Sequence, residues 1–405
     1  MPDPASPVVA ADRLRDLIRA ELPDLIALRH DLHAHPEVGY EEHRTSQAIR
    51  SELEKAGVEH IGGLAGGTGV LGHLPGRGER AVGLRADMDA LPMTEQTGLE
   101  YASTNDGVMH ACGHDGHVAI LIGAMRVLKR VATEEDLPRP VTFMFQPAEE
   151  GGSGGKRMVE EGCLDGSLLG PPIEHAFALH GWPDLGLGQV GTRRGPLLAA
   201  ADEFVIEVIG TGAHAAFPHL GRDPIVCGSA IVGALQTIAS RDTDPLDATV
   251  VSVTQFHGGT THNIIPERVM LEGTVRTLKP ETQTMATERL KAIAGDVARA
   301  HGCRAEVDYI PGYPVTANSP EAVEIFRTEA RAVVDEDQVI DIPQPFMGGE
   351  DFAFYCQAVP SCFFLLGLCP PDREAMPNLH QPTFDFNDEA IATGMELFCR
   401  LALRS

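Results

Sequence analysis

Short apolar segments alternate with helical stretches in the first half of the chain. Residues 81–84, 141–145 and 176–179 are apolar runs of the length that forms buried strands. Between the first two, apolar residues recur at the spacing of one helix face: Val118, Leu121, Ile122, Met125 and Leu128. Strands that alternate with helices form sheets that are largely parallel and covered by helices. The sequence therefore predicts an α/β fold with a mixed, largely parallel sheet flanked by helices.

The chain begins with a predicted amphipathic helix over residues 12–30. Leu14, Leu17, Ile18 and Leu25 are spaced for one face of this helix. Pro23 lies within it, and a proline removes a helix hydrogen bond and clashes with the preceding turn. We therefore expect the helix to be interrupted at Pro23.

From about residue 200 the pattern changes to that of a second domain. Its predicted elements are a strand at 203–209, a helix near 223–240, strands near 248–256 and 268–277, a helix near 281–301 and a strand near 304–310. This βαββαβ order is typical of a compact ferredoxin-like α+β domain. We predict a catalytic domain formed by residues 1–198 and 312–405, interrupted by an inserted domain at 199–311.

The composition excludes several classes of partner. The formal net charge is −26, from 32 Lys and Arg against 58 Asp and Glu, so neither nucleic acid nor an anionic membrane is an expected partner. Apolar runs such as 118–125 are shorter than the roughly 18 residues of a membrane span. Residues 1–11 carry no Lys or Arg, and the eight cysteines form no CxxC pair. We expect a cytoplasmic protein that acts on a small molecule.

Polar side chains follow each candidate strand. Asp87 comes after the first strand, Glu149 and Glu150 after the second, and His180 after the third. Sites in open α/β sheets gather at the carboxyl ends of strands. The placement therefore predicts one shared crevice.

The densest reactive cluster is the segment HACGHDGH at 110–117. Cys112 and His114 are separated by one glycine, so a thiolate and an imidazole could face one metal ion. Alternatively, the loop only caps the following helix, with Asp115 near the positive end of the helix dipole.

Adjacent carboxylates at Glu149 and Glu150 suggest two roles at one place. Neighbouring side chains point in different directions, so one can bind a metal ion while the other acts as a general base. Alternatively, Glu149 and Glu150 only form a solvated acidic loop. His180 or His380, each taken alone, could be an ordinary structural histidine. Together with Cys112 and His114, however, Glu150, His180 and His380 make five ligands, enough for two ions if one ligand bridges them.

Two other functions are compatible with the cluster. Cys112 could be the nucleophile of a thiol amidase, activated by His110 or His114. The chain could also be a metal- or ligand-binding protein without catalysis. Metal dependence and turnover of a substrate panel distinguish these alternatives.

Eight motifs together resemble those of the M20 metallopeptidase family over almost the whole chain. The resemblance is to its amidohydrolase branch, which includes hippurate hydrolases, N-acyl-amino-acid deacylases and plant auxin-conjugate hydrolases. The motifs are RHDLHAHPE (29–37), LRADMDALP (84–92), HACGHDGH (110–117), QPAEEG (146–151), GAHAAFPH (212–219), HNIIP (262–266), GTVR (273–276) and GGEDF (348–352).

The resemblance implies a metal centre and a reaction. Cys112 would bridge two divalent ions (Zn, Mn, Co or Ni), with His114 and His180 at one ion and Glu150 and His380 at the other. A metal-activated water, with Glu149 as general base, would hydrolyse the amide bond of N-acylated amino acids, either hippurate-like or N-acetyl. A dipeptidase or an N-carbamoyl-amino-acid hydrolase of the same fold is the alternative.

One motif departs from other branches of that family. Where they have a His-x-Asp motif with a ligand histidine, this chain has Arg85, Ala86 and Asp87. A guanidinium group has no lone pair to offer a metal, so His114 would take over the ligand role. Asp87 is expected to orient a ligand histidine, unless it is merely structural.

The resemblance also assigns roles in the inserted domain, which would be a lid and a dimerisation domain. His214 would approach the scissile carbonyl, in dimeric relatives from the partner subunit, so a homodimer is possible. Asn263 and Arg276 would contact the substrate carboxylate or carbonyl. Outside the inserted domain, Gly348 and Gly349 would line the substrate pocket, or form only a tight turn. Relatives often have a second glycine where Ala213 stands.

Overall fold

The computed structural model describes residues 9–404. The chain forms two compact units: Met1–Leu197, Ala317–Pro343 and Asp351–Ser405 belong to the first, and Leu198–Thr316 and Gln344–Glu350 to the second. Residues 1–8, which include most of the N-terminal segment without basic residues, lie outside the described part, as does Ser405.

Helices and strands alternate along the chain. The helices are α1 (Ala11–Ala34), α2 (His43–Ala56), α3 (His114–Ala132), α4 (Gly154–Glu160), α5 (Pro224–Thr237), α6 (Pro280–Ala300), α7 (Pro320–Ala330), α8 (Ala353–Ala358) and α9 (Ala390–Leu403). The strands are β1 (Glu59–Leu64), β2 (Gly69–Leu74), β3 (Ala81–Asp87), β4 (Val141–Gln146), β5 (Ile173–Gly186), β6 (Val190–Thr192), β7 (Gly195–Leu198), β8 (Ala200–Ile209), β9 (Ala213–His214), β10 (Thr249–Gly258), β11 (Ile264–Ile265), β12 (Arg268–Thr277), β13 (Arg304–Tyr313), β14 (Thr316–Asn318), β15 (Val339–Asp341) and β16 (Ser361–Cys369).

The first unit is built on an eight-stranded sheet in the order β1-β2-β4-β3-β5-β16-β6-β15. Its centre is parallel, because β3 pairs in parallel with both β4 and β5, and β5 pairs in parallel with β16. Every residue of β2, β3, β4 and β16 is buried, as expected for strands covered on both faces. The predicted α/β fold with a mixed, largely parallel sheet is confirmed.

Helix α1 is continuous through Pro23, so the predicted interruption is wrong. A proline inside a helix costs roughly 3 kcal/mol. Leu14 and Ile18 before it and Leu25 and Leu32 after it are all buried in the core, and each such burial stabilises by roughly 1.5–3 kcal/mol. Packing on both sides of Pro23 therefore outweighs the lost hydrogen bond.

The second unit contains a four-stranded antiparallel sheet in the order β10-β12-β8-β13. Along β8, buried positions alternate with more exposed ones, which is the pattern of a strand with one face on a core. Helices α5 and α6 supply the rest of that core, with Ile231 and Leu290 fully buried among the strand residues. The role of this unit as a lid stays a prediction.

None of the helices within residues 9–404 combines the length and the apolar character that crossing a lipid bilayer demands.

Candidate metal centre and active site

Cys112, in the loop before α3, and His114, the first residue of α3, face the same side. Gly113 between them has φ 83°, in the left-handed region that glycine adopts without strain. A Cβ atom at Gly113 would also lie 3.0 Å from the ring of Phe386. This turn brings the thiol and the imidazole together, so that Cys112, His114 and His180 have potential ligand atoms within 4.8 Å of one another.

Cys112 lies between two groups of candidate ligands. Its Sγ atom is 3.4 Å from Nε2 of His180 and 3.3 Å from Nε2 of His380. The same His380 nitrogen is 3.2 Å from Oε1 of Glu150. All five predicted ligands therefore converge in the first unit, with the sulfur shared between the two groups. The sequence predicted that His180 lies at the end of its strand, but β5 continues to Gly186.

The donor atoms of this cluster fit a divalent cation. Nδ1 of His114 donates to the main-chain oxygen of Asp89 at 2.9 Å, which leaves Nε2 for another partner. That Nε2 atom is buried and has no hydrogen-bond partner within the described residues. Sulfur, imidazole nitrogen and carboxylate oxygen are ligands that borderline-soft divalent metals accept.

The electrostatics of the cluster also favour a cation. Burial alone would lower the pKa of His114, but the charges of Asp87 and Asp89 and a hydrogen bond to Asp89 raise it to about 10. Burial raises the pKa of the Cys112 thiol well above its usual value, and Glu150 and Glu149 raise it further. The pocket therefore attracts positive charge, and a bound metal ion would stabilise the thiolate.

Glu149 and Glu150 are held by their main chain beside this cluster. The main-chain nitrogen of Glu149 donates to Oδ1 of Asp89 at 3.0 Å, and that of Glu150 donates to Oδ2 at 2.9 Å. Glu149 is only 7% exposed, so the two residues do not form a solvated acidic loop. Asp89 was missed by the sequence reasoning, although it lies in the LRADMDALP motif, two residues after Asp87 and directly beyond β3.

Asp87 contacts a histidine that the sequence reasoning did not single out. Its Oδ1 atom accepts from Nδ1 of His117 at 2.6 Å, and its Oδ2 atom accepts from Nη1 of Arg85 at 2.6 Å. Nε2 of the predicted ligand His114 lies farther away, at 3.8 Å from Oδ2. Within the described residues, the closest imidazole to Asp87 is therefore that of His117.

Asp115 does not act as a helix cap. Helix α3 begins without a side-chain cap, and Oδ2 of Asp115 instead accepts from Nε of Arg29 at 2.8 Å and Nδ1 of His33 at 2.9 Å. Burial alone would raise the pKa of Asp115, but the charges of Arg29 and His33 hold it well below its usual range. Arg29 also pairs with Asp388, which ties the start of α3 to α1 and the C-terminal segment.

The remaining predicted site residues belong to the second unit. His214 is exposed on β9 opposite Ile264 of β11, and its Nδ1 atom accepts from the main-chain nitrogen of Ala216 at 3.1 Å. The main-chain oxygen of Asn263 accepts from Ala215 at 3.0 Å, so Asn263 and His214 are close to each other. Nε2 of His214 therefore carries the proton and can donate it.

Arg276 and the glycine pair lie elsewhere in the second unit. Arg276 stands on β12 and donates to Thr274 and to the main-chain oxygen of Val275, and burial lowers its pKa. The main-chain oxygen of Gly348 accepts from Ala199 at 2.9 Å. A Cβ atom at Gly349 would lie 2.8 Å from the Cβ atom of Ala201, so close packing against Ala201 explains this glycine.

Known proteins resemble this chain over most of its length. Residues 83–404 match peptidase family M20/M25/M40. The chain is 39% identical over 384 residues to the IAA-amino acid hydrolase ILR1-like 4 of Arabidopsis thaliana, covering 94% of this chain and 85% of the relative. It is 40% identical over 368 residues to the N-acetyl-L-cysteine deacetylase of Bacillus subtilis, covering 91% of this chain and 84% of the relative.

A solved structure has a similar fold. The crystal structure of the Bacillus subtilis YXEP protein, described as a dinuclear metal binding peptidase from the M20 family, superposes with a TM-score of 0.80. The two chains are 34% identical, and the match covers 95% of this chain and 98% of the other. The predicted family is confirmed: this chain belongs to peptidase family M20, in its amidohydrolase branch, and is a metal-dependent hydrolase.

Proposed function

We propose that this protein hydrolyses the amide bond of N-acylated amino acids, hippurate-like or N-acetyl, with two divalent cations. The observation that carries the proposal is the position of Cys112 between the two groups of candidate ligands. Its sulfur is 3.4 Å from Nε2 of His180 in one group and 3.3 Å from Nε2 of His380 in the other. The named relatives support the substrate class, because one is called an IAA-amino acid hydrolase and another an N-acetyl-L-cysteine deacetylase.

The proposed ligands divide into two sets that share Cys112. His114 and His180 would hold one cation, and Glu150 and His380 the other. Divalent cations supply Lewis acidity to a carbonyl group and lower the pKa of water. Thiolate and imidazole ligands suit zinc, and mixed nitrogen, oxygen and sulfur sites also accept manganese, cobalt or nickel.

Glu149 is the proposed general base and acid. It would take the proton of the attacking water and return it to the amine that leaves, which is the usual double duty of a catalytic carboxylate. Its main-chain nitrogen is anchored on Asp89 at 3.0 Å, and its Oε1 atom accepts from the main-chain nitrogen of Asp351 at 3.4 Å. These contacts hold the carboxylate next to the ligand cluster.

The second unit keeps its predicted roles within this proposal. His214 would donate from Nε2 to the substrate's carbonyl oxygen as negative charge develops there. Asn263 and Arg276 would contact the substrate carboxylate or carbonyl, and a guanidinium group is well suited to a carboxylate. Gly348 and Gly349 would line the substrate's path without side chains.

A thiol amidase is disfavoured by the surroundings of Cys112. Nucleophilic cysteines need a lowered pKa, whereas burial and the nearby carboxylates of Glu150 and Glu149 raise the pKa of Cys112 well above its usual value.

The free thiols of the chain fit the proposed cytoplasmic location, because all eight cysteines lie in the described part and none of them forms a disulfide.

The proposed function predicts a metal-dependent substrate profile. After removal of metal by chelation, activity should fall to background and return on reloading with zinc, manganese, cobalt or nickel. A panel of N-acetyl, N-benzoyl and N-carbamoyl amino acids and dipeptides should show the highest kcat/KM for an N-acetyl or N-benzoyl amino acid.

Each other outcome of this panel identifies a competing function. Activity that survives chelation but is lost in Cys112→Ser would indicate a thiol amidase. A preference for dipeptides or N-carbamoyl substrates would indicate the alternative activities of the same fold. Full metal occupancy without turnover of any substrate would indicate a binding protein.

The second unit also supports the proposed homodimer. Ile225 and Val226 at the start of α5 and Phe256 on β10 are 37%, 55% and 39% exposed. Helix α5 and strand β10 pack together, because a Cβ atom at Gly228 of α5 would lie 3.1 Å from the Phe256 ring. Strand β10 is at the edge of its sheet, so one row of its main-chain groups is open for pairing.

Light scattering coupled to gel filtration tests the homodimer. The 43.4 kDa chain should elute as a particle of twice that mass, and Val226→Lys should shift it toward the monomer because a charge would be buried at the interface. Leu246→Lys is the matched control, since Leu246 is 97% exposed on a loop of the same unit. A monomeric wild type would refute the dimer.

A further inference from the structure

We propose that His117 is a positioning residue for the metal ligand His180, acting through the main chain of Gly181 and orientated by Asp87. The inference rests on the proposed function, in which His180 is a ligand. It adds a histidine outside the five-ligand set and specifies the tautomer in which that histidine works.

The tautomer of His117 follows from its partners. Oδ2 of Asp87 already accepts from Nη1 of Arg85 at 2.6 Å, and Oδ1 faces Nδ1 of His117 at 2.6 Å. A carboxylate beside a guanidinium group accepts hydrogen bonds and does not donate them, so the proton of His117 sits on Nδ1. Its Nε2 atom then has a free lone pair, which accepts from the main-chain nitrogen of Gly181 at 2.8 Å.

Gly181 connects His117 to His180 through hydrogen bonds of its main chain. Its main-chain oxygen accepts from Nδ1 of His180 at 2.8 Å, so the His180 ring is tied to the residue that His117 holds. Nε2 of His180 then faces Sγ of Cys112 at 3.4 Å. The rings of His117 and His180 also pack edge to face, with centroids 4.7 Å apart.

Close packing leaves little freedom at this point. A Cβ atom at Gly181 would lie 2.8 Å from side-chain atoms of both Leu368 and Phe386. His117 itself is fully buried. The main chain at Gly181 is therefore confined by Leu368 and Phe386 and directed by the hydrogen bond from its own nitrogen to His117.

His117 is not itself a ligand in this arrangement. Asp87, His114 and His117 do bring potential ligand atoms within 4.8 Å of one another. Both ring nitrogens of His117 are nevertheless engaged, one with Asp87 and the other with Gly181. A metal ion on either nitrogen would have to displace a buried hydrogen bond.

Cobalt binding to metal-stripped protein tests the proposal without any substrate. The variant His117→Phe keeps a ring of similar size but offers no hydrogen-bond acceptor to Gly181. It should weaken Co²⁺ affinity by about 10–100-fold, which is the usual effect of removing a group that orients a metal ligand. The visible and sulfur-to-cobalt absorption bands should change as well, because the His180 ring is no longer held. His117→Gln, which can still accept at the Nε2 position, should retain affinity within a few-fold.

A second variant tests the tautomer. The amide of Asp87→Asn offers one oxygen acceptor, whereas Arg85 and His117 both donate to the carboxylate of Asp87. The proton of His117 should therefore move from Nδ1 to Nε2, where it would clash with the main-chain N–H of Gly181. This variant should lose Co²⁺ affinity as His117→Phe does. His175→Phe is the matched control, because His175 is a buried histidine on the same strand β5 and lies outside the proposed ligand set.

Circular dichroism of each stripped variant establishes that it is folded before titration. Unchanged Co²⁺ affinity and spectrum in folded His117→Phe would overturn the positioning role, as would equal losses in His117→Phe and His117→Gln. A wild type that shows no sulfur-to-cobalt band at all would instead refute the proposed metal centre, and the positioning role with it.

Discussion

Replacing Glu149 with glutamine is expected to lower kcat by at least about 100-fold, the lower range for loss of a general acid and base. Glutamine keeps the size and the main-chain hydrogen bond to Asp89, but its amide cannot take the proton of the attacking water. The metal content should stay nearly that of the wild type, because Glu149 is outside the five proposed ligands. Steady-state kinetics and elemental analysis of the same preparation measure both quantities.

Glu160→Gln is the control for this change. Glu160 is an exposed residue at the end of α4, within 3.9 Å of Lys156, and it should alter neither kcat nor metal content. Near-normal turnover in Glu149→Gln would remove Glu149 from the mechanism. A simultaneous loss of metal would mean that Glu149 is a ligand instead.

Replacing Cys112 with alanine is expected to abolish activity and weaken binding of both cations by more than about 100-fold, beyond the effect of removing a group that only orients a ligand. The physical reason is that the sulfur lies 3.4 Å from Nε2 of His180 and 3.3 Å from Nε2 of His380, one from each proposed ligand set. Its loss removes a ligand from each proposed ion, and weaker cation binding would in turn leave the carboxylates of Glu149 and Glu150 without a neutralising charge. Elemental analysis after gel filtration in metal-free buffer measures the bound metal per chain.

Cys303→Ala controls for the loss of a thiol as such. Cys303 is a half-buried thiol of the second unit and should leave metal content and turnover unchanged. Full metal occupancy in folded Cys112→Ala would contradict the shared-sulfur arrangement. Retention of one ion with loss of the other would place the sulfur in only one of the two ligand sets.

The parts of the site that lie close together in the chain could be predicted from the sequence. Cys112 and His114 are separated by Gly113, whose left-handed conformation turns both side chains to one side. Glu149 and Glu150 are neighbours beyond a buried strand, and their opposite directions follow from chain geometry. The structure brings these residues together with the other predicted ligands, and their function as ligands stays a prediction.

Other features depended on contacts that sequence spacing does not reveal. Pro23 was expected to break α1, but core packing on both sides of it keeps the helix continuous. Asp89 and His117 carry no sequence signal that distinguishes a main-chain anchor from a ligand or a surface group. Their hydrogen bonds form only when β3, β4 and β5 are side by side and α3 packs across them.

The sequence by itself determined the α/β class and the family, and it predicted the residue types of a metal centre, because these follow from periodicity and from local motifs. Only the tertiary structure decided which histidine nitrogens are left without a hydrogen-bond partner and which are engaged. Within residues 9–404, the ring nitrogen of His114 that does not face Asp89 has no hydrogen-bond partner, whereas both nitrogens of His117 are hydrogen-bonded to groups far away in the chain. Hydrogen-bond partners are set by packing between distant segments, and no spacing of residues along one segment encodes them.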